Sequence, residues 1–390
     1  MDDCEEPSCW TRFIELLKGT RMDDTARGKY EGGRRRKVLA ILLLTVLTAV
    51  VSVAVLGIGA VIVPFTDVVR VIFHPILPQM CQEPTFSYYT DIIVDYRAPR
   101  ILLAILTGAC LGVAGASMQG ILRNPLADPF TLGLSSAASC GAGIALVLGP
   151  VVLGSAYNTV ISIWGTTITM NWIFMAVMAF LMGLSSVVII IMMTGRRSVS
   201  RSTLILTGVV IGYLFSAVLS YLKYISDEAV LKDITMWLLG GMWGASWSAI
   251  IIVLPVAVIG IAILESYAVD MNTLSIGDDV AKNLGVDVRK LRIKILILSA
   301  LITSVCIAFT GIIGFVGLMA PHIVRILVGN DHRYLIPLSA MLGALILVSC
   351  DALARIIVAP NDLPVGIIMY VIGGLFFMFL VRKMRGGYDI

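Results

Sequence analysis

The stretch VLAILLLTVLTAVVSVAVLGIGAVIV, residues 38 to 63, contains no charged side chain. As a helix it would extend for about 39 Å at ~1.5 Å per residue, whereas the hydrocarbon core of a bilayer is about 30 Å thick. The stretch therefore predicts a transmembrane helix. It follows a polar leader, residues 1 to 37, and is longer than the apolar core of a signal peptide, so we expect it to be retained.

The composition extends this prediction to most of the chain. Of the 390 residues 58% are hydrophobic and 14% are charged, whereas about 25% of a soluble domain is charged. Together with the first stretch, nine further apolar segments predict an all-α, polytopic membrane protein with about ten transmembrane helices: 101–122, 131–149, 168–193, 202–222, 246–264, 293–311, 312–329, 334–350 and 364–381. Gly311 and Gly314 leave open whether 293–329 is two spans or one broken helix.

The distribution of basic residues predicts the orientation. If the chain has ten spans and both termini on one side of the membrane, its 29 lysines and arginines are divided very unequally between the two sides. The other side receives only Arg70, Arg97, Arg100, Lys223, Lys232 and Arg355. Because basic residues are enriched in cytoplasmic loops, we expect both termini to be cytoplasmic.

Metal chemistry finds little support in the sequence. The chain has seven cysteines, and only Cys4 and Cys9 are close together. A metal site needs more ligands than this pair supplies, so we expect none. The leader around these cysteines contains a mildly amphipathic segment, which either lies on the membrane surface or is a solvated helix.

The sequence also limits how transport could be driven. The interiors of the predicted spans carry no ionisable group of the kind that ion-coupled transporters use, although a sodium site built from backbone carbonyls stays open. The chain also lacks the G-x-x-x-x-G-K-[ST] loop that binds nucleotide phosphates. If this protein pumps, we expect another subunit to hydrolyse ATP.

The segment LSIGDDVAKNLGV, residues 274 to 286, is a polar interruption between two apolar runs. Thr273 or Ser275 is expected to cap a short helix that has two aspartates in its first turn and ends at Gly285. Ile276, Val280 and Leu284 lie four residues apart and predict an apolar stripe. Such a helix either packs on its own membrane domain or binds a partner, and the spacing alone does not decide.

Two further motifs have structural explanations. RNPLADPF, residues 123 to 130, predicts a turn, because its prolines disfavour helix in the preceding residues and its Asn and Asp bond their own backbone. Small residues occur at every fourth position from 104 to 120, which predicts close helix packing within the subunit: Ala104, Gly108, Gly112, Ala116 and Gly120.

From about Arg97 to the C-terminus the chain resembles the FecCD-type permeases, the membrane subunits of ABC importers for iron chelates, haem and cobalamin. The resemblance is carried by ordered segments: RAPRILLAILTGACLGVAGASMQGILRNPLADPFTLGLSS, MWLLGGMWGASW, LSIGDDVAKNLGV, GFVGLMAPHIVRILVGNDHRYLIPLSAMLGA and DLPVGIIMYVIGG. The leader, residues 1 to 37, lies outside it. The resemblance implies a permease domain from 38 to 390 in a prokaryotic plasma membrane, working as a homodimer with a passage along the two-fold axis.

The resemblance also implies partners. Two ABC ATPase subunits would use ATP and Mg, an extracytoplasmic binding protein would deliver the substrate, and the chain itself would bind no cofactor, no metal and no nucleic acid, with lipid around it. A cytoplasmic coupling segment, 273–290, would bind the ATPase through Leu274, Ser275, Gly277, Asp278, Asp279, Ala281, Leu284 and Gly285. Iron(III) siderophore is the first expected substrate, followed by cobalamin and haem.

Further residues receive roles from the same resemblance. Arg97, Arg100 and Arg355 would bind glutamates of the binding protein, although arginines at span ends also commonly reach lipid headgroups. Leu126 and Ser202 would lie near the inner gate. The alternative to this importer is a secondary transporter or channel that works alone.

Overall fold

The computed structural model describes residues 26–75, 77–79, 82–163, 166–194 and 201–384, and these form an almost entirely helical bundle. Its helices are α1 Ala26–Leu56, α2 Phe65–Phe73, α3 Tyr88–Leu122, α4 Leu134–Leu153, α5 Met170–Thr194, α6 Arg201–Ile225, α7 Glu228–Leu239, α8 Trp247–Ser266, α9 Ala268–Ile276, α10 Asp278–Asn283, α11 Val288–Thr310, α12 Val316–Val328, α13 His332–Ile357 and α14 Val365–Met384. A hairpin of β1 Val160–Ile163 and β2 Thr166–Thr169 precedes α5.

Nine of the helices in the described ranges are long and apolar enough to cross a membrane. They coincide with nine of the ten predicted spans, which confirms the all-α polytopic class. The tenth, predicted over 312–329, is the 13-residue α12. At ~1.5 Å per residue it measures about 20 Å, so it does not cross the hydrocarbon core by itself.

The N-terminal helix begins earlier than the sequence predicts. α1 starts at Ala26, within the leader, and continues into the apolar stretch up to Leu56. The apolar pattern predicts which residues suit the hydrocarbon core, whereas the helix itself also includes the polar residues that precede them. Cys4, Cys9 and the amphipathic segment of the leader lie outside the described residues.

Helix α3 is the central element of the core. In the most apolar part of this helix 83% of the residues are buried. A Cβ added at Gly108 or Gly112 would lie closer than 3.0 Å to the backbone of α13, at Gly343 or Ser339. The small residues therefore allow α3 and α13 to approach closely within the subunit, as the four-residue spacing predicts.

The helix connections gather at two ends of the bundle. At one end Arg123, which follows α3, contacts Leu274 and Asp278 of the α9–α10 region. At the opposite end Arg97 contacts the carbonyl of the last residue of α1 and a carbonyl of the loop that follows. We call these the Arg123 end and the Arg97 end.

Candidate functional site

The segment 273–290 forms two short helices instead of one. α9 ends at Ile276, Gly277 has an extended backbone (φ 169°, ψ 148°), and α10 begins at Asp278. The predicted capping is wrong: the hydroxyl of Thr273 donates to the Val269 carbonyl and that of Ser275 to Asn272, both within α9. A hydroxyl inside a helix bonds the preceding turn of that helix, so it cannot cap the next one.

The C-terminal end of α10 follows the prediction. Gly285 has φ +87°, its N–H donates to the Lys282 carbonyl, and the N–H of Val286 donates to the Ala281 carbonyl. These two bonds form a Schellman motif, in which the left-handed residue satisfies carbonyls at the helix end.

The two faces of the segment differ sharply. Leu274 and Ala281 are fully buried in the main hydrophobic core. Ile276, Val280 and Leu284 are 70%, 42% and 66% exposed. The inner face therefore packs on the membrane domain, while the outer face presents apolar side chains.

The carboxylate of Asp278 lies between two arginines. Its Oδ2 is 2.8 Å from Nη2 of Arg292, and its Oδ1 is 3.2 Å from Nη2 of Arg123. The neighbouring Asp279 is exposed and pairs with Lys282. Both aspartates lie in the first turn of α10, where the helix dipole favours negative charge.

The RNPLADPF segment forms the turn that the sequence predicts. The Asn124 side chain accepts the Leu126 N–H, and Asp128 accepts the Thr131 N–H at 2.9 Å in a capping box. Burial raises the pKa of the Asp128 carboxyl to about 6. Leu126 is exposed at 55% on this turn, and Ser202 is exposed near the start of α6.

The sequence did not indicate a second attachment of α9. The Asn272 amide donates to the Asp331 carboxylate at 2.7 Å, and its oxygen accepts the His332 N–H at 2.8 Å. Hydrogen bonds, of which the one from the Arg333 side chain has the largest effect, lower the pKa of Asp331 to about 2. These residues are far apart along the chain, so only the fold brings them together.

The three arginines at the Arg97 end are more deeply buried than the sequence predicts. Arg97 donates to the Leu56 carbonyl at 2.7 Å and to the Val61 carbonyl, and its exposed fraction is only 6%. Arg355, at 4%, donates to the Ile58 carbonyl at 2.9 Å. Both side chains thus hold the loop that follows α1.

Two aspartates complete this cluster. Asp351 is 2.9 Å from Nε of Arg100 and 3.2 Å from Nε of Arg355. Asp362, after α13, also pairs with Arg100. These charged residues lie just outside the predicted spans 101–122 and 334–350, so they do not contradict the expectation about the span interiors. Opposite charges with hydrogen-bond partners make this burial tolerable.

The family model for the FecCD transport family matches residues 43–383. The chain belongs to the FecCD transport family. The match includes the whole of the α9–α10 region and both arginine-containing ends of the bundle.

Relatives in the FecCD family are ABC permeases. The chain is 41% identical to the uncharacterized ABC transporter permease protein YvrB of Bacillus subtilis, over 85% of this chain and 91% of that one. It is 35% identical to the hemin transport system permease protein HmuU of Yersinia pestis, over 75% and 84%. It is 36% identical to the Fe(3+) dicitrate transport system permease protein FecD of Escherichia coli, over 76% and 86%.

A solved structure agrees with this assignment. It is described as an inward-facing conformation of a metal-chelate-type ABC transporter, and the match has a TM-score of 0.73 at 29% identity over 88% of this chain and 98% of that one. The FecCD chain described here is thus a permease subunit of an ABC importer, a multi-pass protein of the plasma membrane. Its family consists of transport permeases, which act with ATPase subunits and a binding protein.

Proposed function

We propose that this permease works as a homodimer with two ABC ATPase subunits and an extracytoplasmic binding protein, and that it imports a metal chelate. An iron(III) siderophore or a related ferric chelate is the first candidate, because relatives carry the names of ferric citrate, hydroxamate, hemin and cobalamin systems. ATP and Mg would be bound by the ATPase, since this chain lacks the phosphate-binding loop.

The exposed apolar face of α9 and α10 carries the docking proposal. Ile276, Val280 and Leu284 form it, while Leu274 and Ala281 anchor the same segment in the core. An apolar face on a firmly attached polar segment is typical of a protein interface. We assign it to the ATPase. The Arg123 end would then lie in the cytoplasm, the side on which the distribution of basic residues predicts both termini.

The Arg97 end would then face the binding protein. Because Arg97 and Arg355 donate hydrogen bonds inside the chain, they would act mainly by fixing the loop after α1. Arg100, with a side chain 13% exposed, is the most accessible of the three. It would meet the binding protein together with Asp362.

The inner gate would lie at the Arg123 end. Leu126 projects from the turn after α3, and the short helix Pro129–Leu132 that follows packs against Gly208 of α6, the helix that also carries Ser202. The gate residues are thus tied to neighbouring elements beside the docking face.

The docking proposal is tested with Leu284→Asp, which places a charge in the apolar face. Because a desolvated charge is unfavourable in an interface, co-purification of the ATPase with the permease should fall at least tenfold. Ile62→Asp is the matched control, since Ile62 is 80% exposed at the opposite end. Equal amounts of ATPase with Leu284→Asp and Ile62→Asp would refute the docking role.

A further inference from the structure

Asp278 is attached to two membrane-spanning helices at once. Its carboxylate oxygens lie 3.2 Å from Arg123, at the end of α3, and 2.8 Å from Arg292, in α11. Its side chain is 31% exposed, whereas that of Arg292 is 6% exposed. The ion pairs therefore connect the surface of the α9–α10 segment to side chains that belong to the core.

Arg123 is held in an unusual backbone conformation. Its φ is 47°, in the left-handed region that residues other than glycine rarely adopt. Its guanidinium also donates to the Leu274 carbonyl, in the last turn of α9. One side chain at the end of α3 thus contacts both short helices of the segment.

Arg292 provides a second connection between the same carboxylate and the end of α3. Its Nε donates to the Ile121 carbonyl at 3.4 Å, in the last turn of α3, while Nη2 bonds Asp278. A planar guanidinium with bonds from two of its edges keeps its partners in a fixed arrangement. Asp278, Arg292 and the end of α3 therefore form one hydrogen-bonded unit.

We propose that Asp278 is a positioning residue, which transmits displacement of the α9–α10 segment through Arg123 and Arg292 to the cytoplasmic end of α3 and to the turn that carries Leu126. This inference rests on the proposed docking of the segment to the ATPase. Charge-assisted hydrogen bonds suit such a link because they are short and directional.

The test uses the full complex of permease, ATPase and binding protein in lipid nanodiscs. A spin label at Leu126→Cys, in a chain with Cys4, Cys9 and Cys81 replaced by serine, reports the distance between the two Leu126 positions of the dimer. We expect ATP with Mg to shift this distance in the parent chain. Asp278→Asn and Arg123→Gln should lose at least half of the shift while the ATPase still co-purifies.

Two further variants distinguish a link from general damage. Asp278→Glu keeps the charge and should restore most of the shift. Arg70→Gln removes an arginine from an ion pair in α2, with Asp67, away from the α9–α10 segment, and should leave the shift unchanged. If Asp278→Asn does not fold, Arg123→Gln provides the same comparison with Arg70→Gln, because the Arg123 side chain is 24% exposed and its replacement disturbs the core less than a replacement of Arg292 would.

The outcomes separate this inference from the docking proposal. A full shift in Asp278→Asn or Arg123→Gln overturns the positioning role, and so does a failure of Asp278→Glu to restore it. Loss of the ATPase from Asp278→Asn would assign Asp278 to the docking contact itself and also overturns the inference. Retention of the ATPase by Leu284→Asp would contradict the docking proposal instead.

Discussion

Arg100 of α3 and Asp351 of α13 form an ion pair with 2.9 Å between Nε and Oδ1, although 251 residues separate them in the chain. The same carboxylate also forms an ion pair with Arg355, and Asp351 is 1% exposed. Helices α3 and α13, which approach each other closely through small residues, are thus also joined by charge at the Arg97 end.

Asp351→Asn should destabilise the permease. It would leave Arg100 and Arg355 without their shared counter-charge in a buried site, and loss of one partner from a buried pair costs roughly 3 to 5 kcal/mol. We expect the temperature of unfolding in detergent to fall by several degrees. Asp233→Asn, an exposed aspartate at the same end, is the control and should change little. An equal unfolding temperature for both variants would contradict a stabilising role of the cluster.

Gly285→Val should weaken binding of the ATPase more than Gly285→Asn. Gly285 has φ +87°, which Val adopts at a cost of about 1 to 2 kcal/mol and Asn more easily. Nothing lies within 4 Å of an added Cβ, so the effect reports the backbone alone. The measurement is co-purification of the ATPase, and equal amounts with both variants would exclude a need for the left-handed conformation.

Gly115→Ala should lower the yield of folded permease. An added Cβ would overlap the carbonyl of Gly317, so α3 and α12 would have to separate. Gly374→Ala is the control, since nothing lies within 4 Å of its Cβ position. Size-exclusion chromatography should show less monodisperse protein only for Gly115→Ala, and similar yields would show that the contact between α3 and α12 adapts.

The buried Asp128 should make stability depend on pH. Burial raises its pKa from 3.8 to about 6, so the folded state binds the proton more tightly than the unfolded state. This contribution to the free energy of unfolding is present below pH 3.8 and is lost as the pH rises through 6. At ~1.4 kcal/mol per pKa unit it amounts to about 3 kcal/mol.

Asp128→Asn tests this titration because Asn still accepts the Thr131 N–H but does not ionise. We expect the unfolding temperature of the parent chain to fall relative to that of the variant between pH 4 and pH 7. Parallel pH profiles for the two proteins would show that Asp128 does not titrate in this range.

The sequence by itself determined the membrane class, nine of the spans, the RNPLADPF turn and the left-handed Gly285. Each of these depends on local properties: long apolar runs exclude water, and Pro, Asn and Gly restrict or permit particular backbone angles. The family motifs, which run through most of the chain, also identified the importer class. The spacing of Ile276, Val280 and Leu284 predicted a shared apolar stripe, but it predicted neither the exposure of these side chains nor the break at Gly277.

Only the tertiary structure decided which charges meet. The sequence assigned Arg97, Arg100 and Arg355 to a surface, whereas the fold surrounds them with Asp351, Asp362 and loop carbonyls. Likewise, the sequence predicted only that Asp278 lies in the first turn of a helix. In the structure its carboxylate pairs with Arg123 and Arg292, which belong to different parts of the fold. A buried charge in a membrane protein requires a partner of opposite charge or a hydrogen-bond acceptor. The packing of the helices determines which partner lies close enough, and the sequence of one helix does not reveal that packing.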